Sequence, residues 1–367
     1  MKKLIINLGQ EAIVGMEYTY GGKTKKLDRV CQLDSCNFYN NLGTLDIPQV
    51  VSALKKVVPK HLRGLDVDLI LPSYVSDTTY VDAVFDDDSG NEEKKKKPGK
   101  TAEKLVAIGE NQTRKINQKI EYNTKAVYGI VNMFHRHNFN VVRAVTNASC
   151  YHNFVAAYNQ HDLFGSTGSD VKTHINIVWG TTKTFYIISI GNLPVETRNS
   201  EFKLIDMYND IVKSGYNIPF SHMLKIINNF ELSQKASSGI VMTCSKTIIE
   251  DAGRSIEIPN EIIDFIKESF YSYMLDMVQE VQAIYDYVMQ KYSGSSVYVC
   301  SNSIMLDECL CQTFNDFPIN YIKPSSVLDV YNEKITLKAI PELTDKYIPV
   351  IGCVIEYIKK GGDFYDV

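Results

Sequence analysis

Two stretches of this chain share one plan: INLGQEAIVGMEYTY at 6–20 and INIVWGTTKTFYIISIGN at 175–192. Each is an apolar strand, a turn of small residues and a second apolar strand, and an asparagine, Asn7 or Asn176, closes the first strand. Helices and further strands follow each hairpin. An order of hairpin, helix, strand and helix that occurs twice restricts the chain to an α/β protein with a duplicated unit. The length of 367 residues agrees, since it exceeds what one compact core usually holds.

The first half reads as strands at 4–8, 12–20 and near 29–34, then a helix at 47–58 with apolar spacing at Val50, Val51, Leu54 and Val57. DVDLILP (66–72) is a buried strand stopped by Pro72. The block DDDSGNEEKKKKPGK (86–100) cannot bury anything, which predicts a mobile charged loop. Helices are expected at 101–121 and 124–137, a strand at 140–147 and a helix at 151–159. The second half has a hairpin at 174–190, helices near 202–214 and 220–229, and a strand at 239–244. A long helix then has Pro259 in its first turn, apolar residues three or four apart from Ile263 to Val288, and its end at Gly294. Strands at 296–300 and 318–324 flank a helix at 305–314, and a last helix spans 348–360.

Composition excludes several classes. A formal net charge of -4 gives no reason to expect nucleic acid or an anionic membrane as a partner. No run of about 18 apolar residues occurs, and Asn7, Gln10 and Glu11 interrupt the opening apolar stretch too early for a signal peptide. Cytoplasmic residence is expected, and scattered cysteines in apolar segments (Cys150, Cys244, Cys300, Cys353) fit a reducing compartment. The pairs Cys31/Cys36 and Cys309/Cys311 lack partners at zinc spacing, so no metal site is expected. PGKT (98–101) and GGKT (21–24) lack the leading glycine of a phosphate loop. His135 and His137 sit near a helix end, where structural use outweighs catalysis.

A tight turn between strands points several backbone N–H groups one way and can hold a phosphate. In the second turn Gly180, Thr181, Thr182 and Lys183 offer such donors; in the first, Gly9 and Gln10 do. An ordinary exposed turn explains either stretch taken alone.

Taken together, the order of parts resembles the actin-like superfamily, and within it the branch of FtsA and of the type IV pilus assembly protein PilM. NLGQEAIVGME is similar to the family's first phosphate loop. NNLGTLDIPQVVSALKK, LILPS and MFHRHNFNVVRAVTNASCYHNFVAAYN follow in family order. NIVWGTTKT resembles the second loop, GNLPVETR its outgoing strand, and SVYVCSNS the adenosine loop. IPVIGCVIEYI resembles the closing helix.

The resemblance implies duplicated actin-like, ribonuclease H-like domains facing across a central cleft. Domain I is expected at 1–172 plus 330–367, with a shortened inserted subdomain at about 79–135, and domain II at 173–329. Active members carry aspartate where Asn7 and Asn176 stand, to order magnesium and water. An amide keeps the shape without the charge. The glycine expected after the second aspartate is Val178, beside Trp179, and the adenosine-loop glycine pair is Ser301 and Asn302. These losses imply no catalytic residues and no resident cofactor, with at most weak binding of ATP and magnesium. The implied function is a non-catalytic scaffold of the pilus inner-membrane platform, held at the inner face of the plasma membrane by a cytoplasmic peptide of a PilN-like membrane protein. Contacts with other platform proteins and self-association are compatible with it. The alternative is an actin-like ATPase or filament former resembling FtsA or the plasmid-segregation actins.

Overall fold

The computed structural model describes residues 2–21, 24–82, 99–107, 113–164, 172–191, 193–235, 239–251, 253–292, 296–314, 319–321, 335–338 and 345–359. The charged stretch 86–98, the expected helix end at Gly294 and the acidic tail lie outside these residues.

The first sheet joins β1 (Lys2–Leu8), β2 (Ala12–Gly21), β3 (Thr24–Asp34), β4 (Asp66–Leu71), β8 (Asn140–Thr146) and β18 (Ile335–Lys338) in the order β18-β3-β2-β1-β4-β8. The second joins β9 (Lys172–Val178), β10 (Phe185–Ile190), β11 (Leu193–Asn199), β16 (Ser296–Ser301) and β17 (Ile319–Tyr321) in the order β11-β10-β9-β16-β17. β18 aside, the two orders are the same. Three antiparallel strands form a meander, and two strands then run parallel to the first of them.

Strand alternation explains the unbroken apolar runs. Leu4, Ile6 and Leu8 enter one core with Val50, Val51 and Leu54 of α1 (Ile47–Val57), while Ile5 enters another. That second core contains Phe154 of α4 (Asn147–Phe164), Ile351 and Val354 of the last helix α9 (Ile348–Lys359), and Val178 and Ile187 of the second sheet. A strand buried on both faces needs apolar residues at every position. Asn7 shares the face of Ile5, and Asn176 the face of Val178, because side chains two apart point the same way. Both asparagines therefore turn toward the layer between the sheets. The last helix packs on α4 and β1, against the first sheet.

Among the described residues the remaining helices are α2 (Lys60–Arg63), α3 (Thr124–Arg136), α5 (Leu204–Lys213), α6 (Phe220–Ile227), α7 (Asn260–Lys291) and α8 (Ile304–Thr313). The expected helix at 101–121 is instead a pair of antiparallel strands. β6 (Gly99–Ala107) and β7 (Thr113–Tyr122) form a small sheet with β5 (Ser76–Asp82) in the order β5-β7-β6. Ile116 and Ile120 are four apart, which suits a helix. Four is also a multiple of two, and Lys115, Asn117, Lys119 and Glu121 alternate with them as a strand requires. Pro259 is the cap of α7, one residue ahead of its first turn. The hairpins β12 (Phe230–Lys235) with β13 (Gly239–Cys244), and β14 (Ile248–Asp251) with β15 (Arg254–Glu257), lie between α6 and α7.

Candidate functional site

The turn after β1 is held from behind. Ser35 Oγ donates to Gly9 O at 2.8 Å, Ser35 N to Glu11 O at 3.2 Å, and Tyr39 Oη to Gln10 O at 3.0 Å. With its backbone fixed, the Gln10 side chain crosses to the turn after β9. Its Oε1 accepts from Thr182 N at 2.7 Å, Thr182 Oγ1 at 3.0 Å and Lys183 N at 3.1 Å. Its Nε2 donates to Lys183 O at 3.1 Å. The second turn is thus a working nest of donors, and a carboxamide of the same chain sits in it. Gly180 makes the approach possible, since a Cβ there would collide with the Gln10 amide.

Ser301 and Asn302, at the end of β16, are engaged in a similar way. Asn302 Oδ1 accepts from Trp179 N at 2.8 Å, and its Nδ2 donates to Trp179 O at 3.2 Å. This two-way bond zips the end of β16 to the end of β9. Trp179 turns its indole N–H to Tyr273 Oη of α7 at 3.3 Å. Ser301 Oγ accepts from Ser303 N at 2.9 Å and braces the start of α8. Asp307, one turn into that helix, is buried beneath it, and burial pushes its carboxyl up to about 7, the Ser301 hydroxyl offsetting part of the effect.

Asn7, Gln10 and Asn302 line one small cavity with Tyr151, Trp179 and Lys346. It measures ≈ 20 Å³, room for about one water molecule. Asn7 Oδ1 is buried without a protein partner and can accept from such a water. Asn176 is not among the lining residues; its Nδ2 donates to Ile187 O at 3.3 Å within its own sheet, and its Oδ1 is likewise buried without a protein partner. Gly180 and Thr181 border a neighbouring cavity of ≈ 40 Å³.

The expected residues therefore converge around the two turns, except that Asn176 stays one layer back. As placed, they do not fit a nucleotide with magnesium. Asn7 and Asn176 offer no carboxylate, the donor nest is taken, the acid that does line the cavity is Glu11, whose charge would repel a phosphate, and ligand pockets of nucleotide size need a few hundred Å³. Among the described residues, no group of three His, Cys, Asp or Glu side chains could hold a metal ion. The role of Gln10 as a bridge between the turns was not visible in the sequence, where it stood only among the candidate phosphate-binding residues; its partners lie 172 and 173 positions away.

More contacts join the two sides. Asn41 Oδ1 accepts from Phe220 N at 3.1 Å at the start of α6, and the Tyr39 and Phe220 rings meet edge to face at 5.8 Å. Asn228 Nδ2 lies 3.4 Å from Cys36 Sγ. The halves are joined by side chains at the turns and again along 36–41.

No protein-family model and no curated protein sequence matches the chain. Solved structures do. A PilM-PilN type IV pilus biogenesis complex aligns over 96% of this chain and 98% of that chain, at 10% identity and a TM-score of 0.56. MreB 5 of Spiroplasma citri bound to AMPPNP aligns over 98% and 97%, at 12% identity and a TM-score of 0.37. The ethanolamine utilization protein EutJ from Carboxydothermus hydrogenoformans aligns over 97% and 89%, at 11% identity and a TM-score of 0.36. The first match spans nearly all of both chains, and the fold is actin-like.

Proposed function

We propose that this chain is a non-catalytic actin-like adaptor at the cytoplasmic face of a pilus-type inner-membrane platform. Its partner is a membrane protein resembling PilN, held through a short cytoplasmic peptide. The observation that carries the reading is the Gln10 carboxamide seated among Thr182 N, Thr182 Oγ1 and Lys183 N. Those donors would face a phosphate in an active member, and here they hold the molecule's own two halves together. Opening and closing around a nucleotide has no role in such a molecule, whereas a fixed platform for other proteins does. The fold shared with the PilM-PilN structure supports the choice of partner class. The division into 1–172 with 330–367 and 173–329 belongs to the same reading, with the corner asparagines as remnants of magnesium-ordering carboxylates. No helix of the described residues is long and apolar enough to cross a membrane, so attachment would come through the partner.

The test is cross-linking of the tagged chain in intact cells of its native host, followed by mass spectrometry. The reading expects a membrane protein with a short cytoplasmic segment as the principal adduct. Adducts only to soluble metabolic enzymes, or only to further copies of the chain, would contradict it, the latter in favour of a filament.

A further inference from the structure

The net charge of -4 is spread unevenly. The chain holds 43 acidic residues, yet none falls in 47–65 or in 122–161. The fold sets these two acid-free segments side by side. α1 and α3 pack on each other over the first sheet. α1 and α2 lead into Asp66, the first residue of β4, and α3 leads into Asn140, the first residue of β8. Asp66 and Asn140 are register partners, and Asn140 Nδ2 donates to Asp66 Oδ1 at 3.1 Å. Lys55 and Lys56 of α1, Lys60 of α2 and Arg136 of α3 therefore gather at one corner, with Lys125 further back on α3. All five are exposed, and no ion pair or hydrogen bond engages their side chains among the described residues. Surface cations elsewhere are paired: Lys2 with Glu17 at 2.8 Å, Lys213 with Asp210 at 2.7 Å, Lys267 with Asp264 at 2.6 Å. The acids on neighbouring elements are in use. Asp46 caps the far end of α1, Asp66 holds Asn140, and Asp68 is buried with Lys3; Glu121 closes β7, ahead of α3. Helix C-termini attract cations, which accounts for Lys55, Lys56 and Arg136 in part. It does not account for Lys125, which lies in the first turn of α3, the end that disfavours a cation.

We propose that this face of α1, α2 and α3 rests on an anionic phospholipid bilayer. A headgroup layer takes up separate cations over an area, each Lys or Arg near the surface adding to the attraction. Two apolar side chains stand among the charges: Val57 is 45% exposed and Tyr128 65%. A valine can enter the acyl boundary, and a tyrosine suits the headgroup level. Tyr128 shares its helix face with Lys125 and Arg136, since 125, 128, 132 and 136 are three or four apart. Single-stranded nucleic acid is held in a charged groove with several aromatic rings to stack its bases, and this face has one exposed tyrosine. The contact would be direct, in addition to any peptide of a membrane protein. That a bilayer is within reach rests on the adaptor reading; the face itself comes from the two acid-free helices.

The test is flotation of the full chain with vesicles of phosphatidylglycerol and phosphatidylcholine, beside vesicles of phosphatidylcholine alone. The chain should float with the anionic vesicles and stay behind with the neutral ones, and added salt should release it. Each of Lys55→Gln, Lys56→Gln, Lys60→Gln and Arg136→Gln should weaken partition about fivefold, with thermal melts to show that the fold holds. Val57→Ala with Tyr128→Ala keeps every charge and should weaken it about threefold or more. No flotation with anionic vesicles, equal flotation with neutral ones, or indifference to the four glutamine substitutions would overturn the site. Indifference to the loss of Val57 and Tyr128, or tighter binding to DNA or polyglutamate than to the vesicles, would overturn the bilayer as its occupant. If the vesicles fail and cross-linking in cells still recovers a membrane protein, the lipid face has failed and the adaptor reading has not. If the vesicles succeed and no membrane protein is recovered, the reverse holds.

Discussion

The turn after β1 and the turn after β9 occupy the same corner of two sheets with the same strand order, yet their chemistry is opposite. The first projects an acceptor, Gln10 Oε1; the second presents donors, Thr182 N, Thr182 Oγ1 and Lys183 N. Two donor turns would need an anion between them. A donor turn and an acceptor turn need only each other. A shared fold therefore leaves the chemistry of a site open: one side chain in one loop decides whether the gap calls for a ligand.

The two halves also differ in how they anchor their neighbours. In the first, Asp68 is fully buried, with Lys3 Nζ at 3.4 Å and Arg143 Nε at 3.7 Å, and Arg143 Nη1 continues to Glu356 at 3.3 Å. Burial raises the Asp68 pKa despite these cations. In the second, Glu280 is held by Tyr186 Oη, Ser200 Oγ and Glu201 N, with no cation beside it in that set. Asp68→Ala strands two cations and should cost about 3–5 kcal/mol. Glu280→Gln keeps the shape and should cost about 1–2 kcal/mol. Denaturant midpoints compare them, and equal losses would break the contrast.

The next effect depends on pH. Asp307 has its folded pKa raised from 3.8 to about 7, so the native state keeps a proton that the unfolded chain has lost. Its burial costs nothing below pH 3.8. The cost grows as pH rises toward 7 and is constant above it. Asp307→Asn should therefore gain up to a few kcal/mol at pH 8 over its difference from wild type at pH 3.5. A difference that stays flat between those two pH values would show that the carboxyl ionises freely.

The effect at the turns is the most specific. Gln10→Ala removes four hydrogen bonds between the turns and should cost about 1–3 kcal/mol. Gly180→Ala drives a methyl into the Gln10 amide and should cost a similar amount. The double variant should cost less than the sum, since the methyl then meets no amide. Additive losses in thermal melts would mean that Gln10 and Gly180 do not act as a pair.

Much of this was legible in the sequence. The strand at Leu4–Leu8, the stripe of α7 and both corner asparagines follow from apolar period and from the repetition of one plan. β7 was misread because its isoleucines, Ile116 and Ile120, four apart, satisfy a helix and a strand alike; β6 has no isoleucine and was taken into the same helix. β18 was missed: ITLK is short and its place beside β3 depends on a partner some 310 residues away. The Gln10 contact was illegible for a related reason. A glutamine after a glycine is an ordinary turn residue until the other turn is brought against it.

The central claim is that Gln10 has replaced the phosphate between the two turns. Calorimetric titration of the wild-type chain with ATP and magnesium, with phosphate release followed in the same samples, tests it most directly. The account predicts no saturable heat and no release, and the same silence from the Asn7→Asp, Asn176→Asp double variant, whose Gln10 still fills the nest. Micromolar binding by the wild type with measurable phosphate release would contradict it.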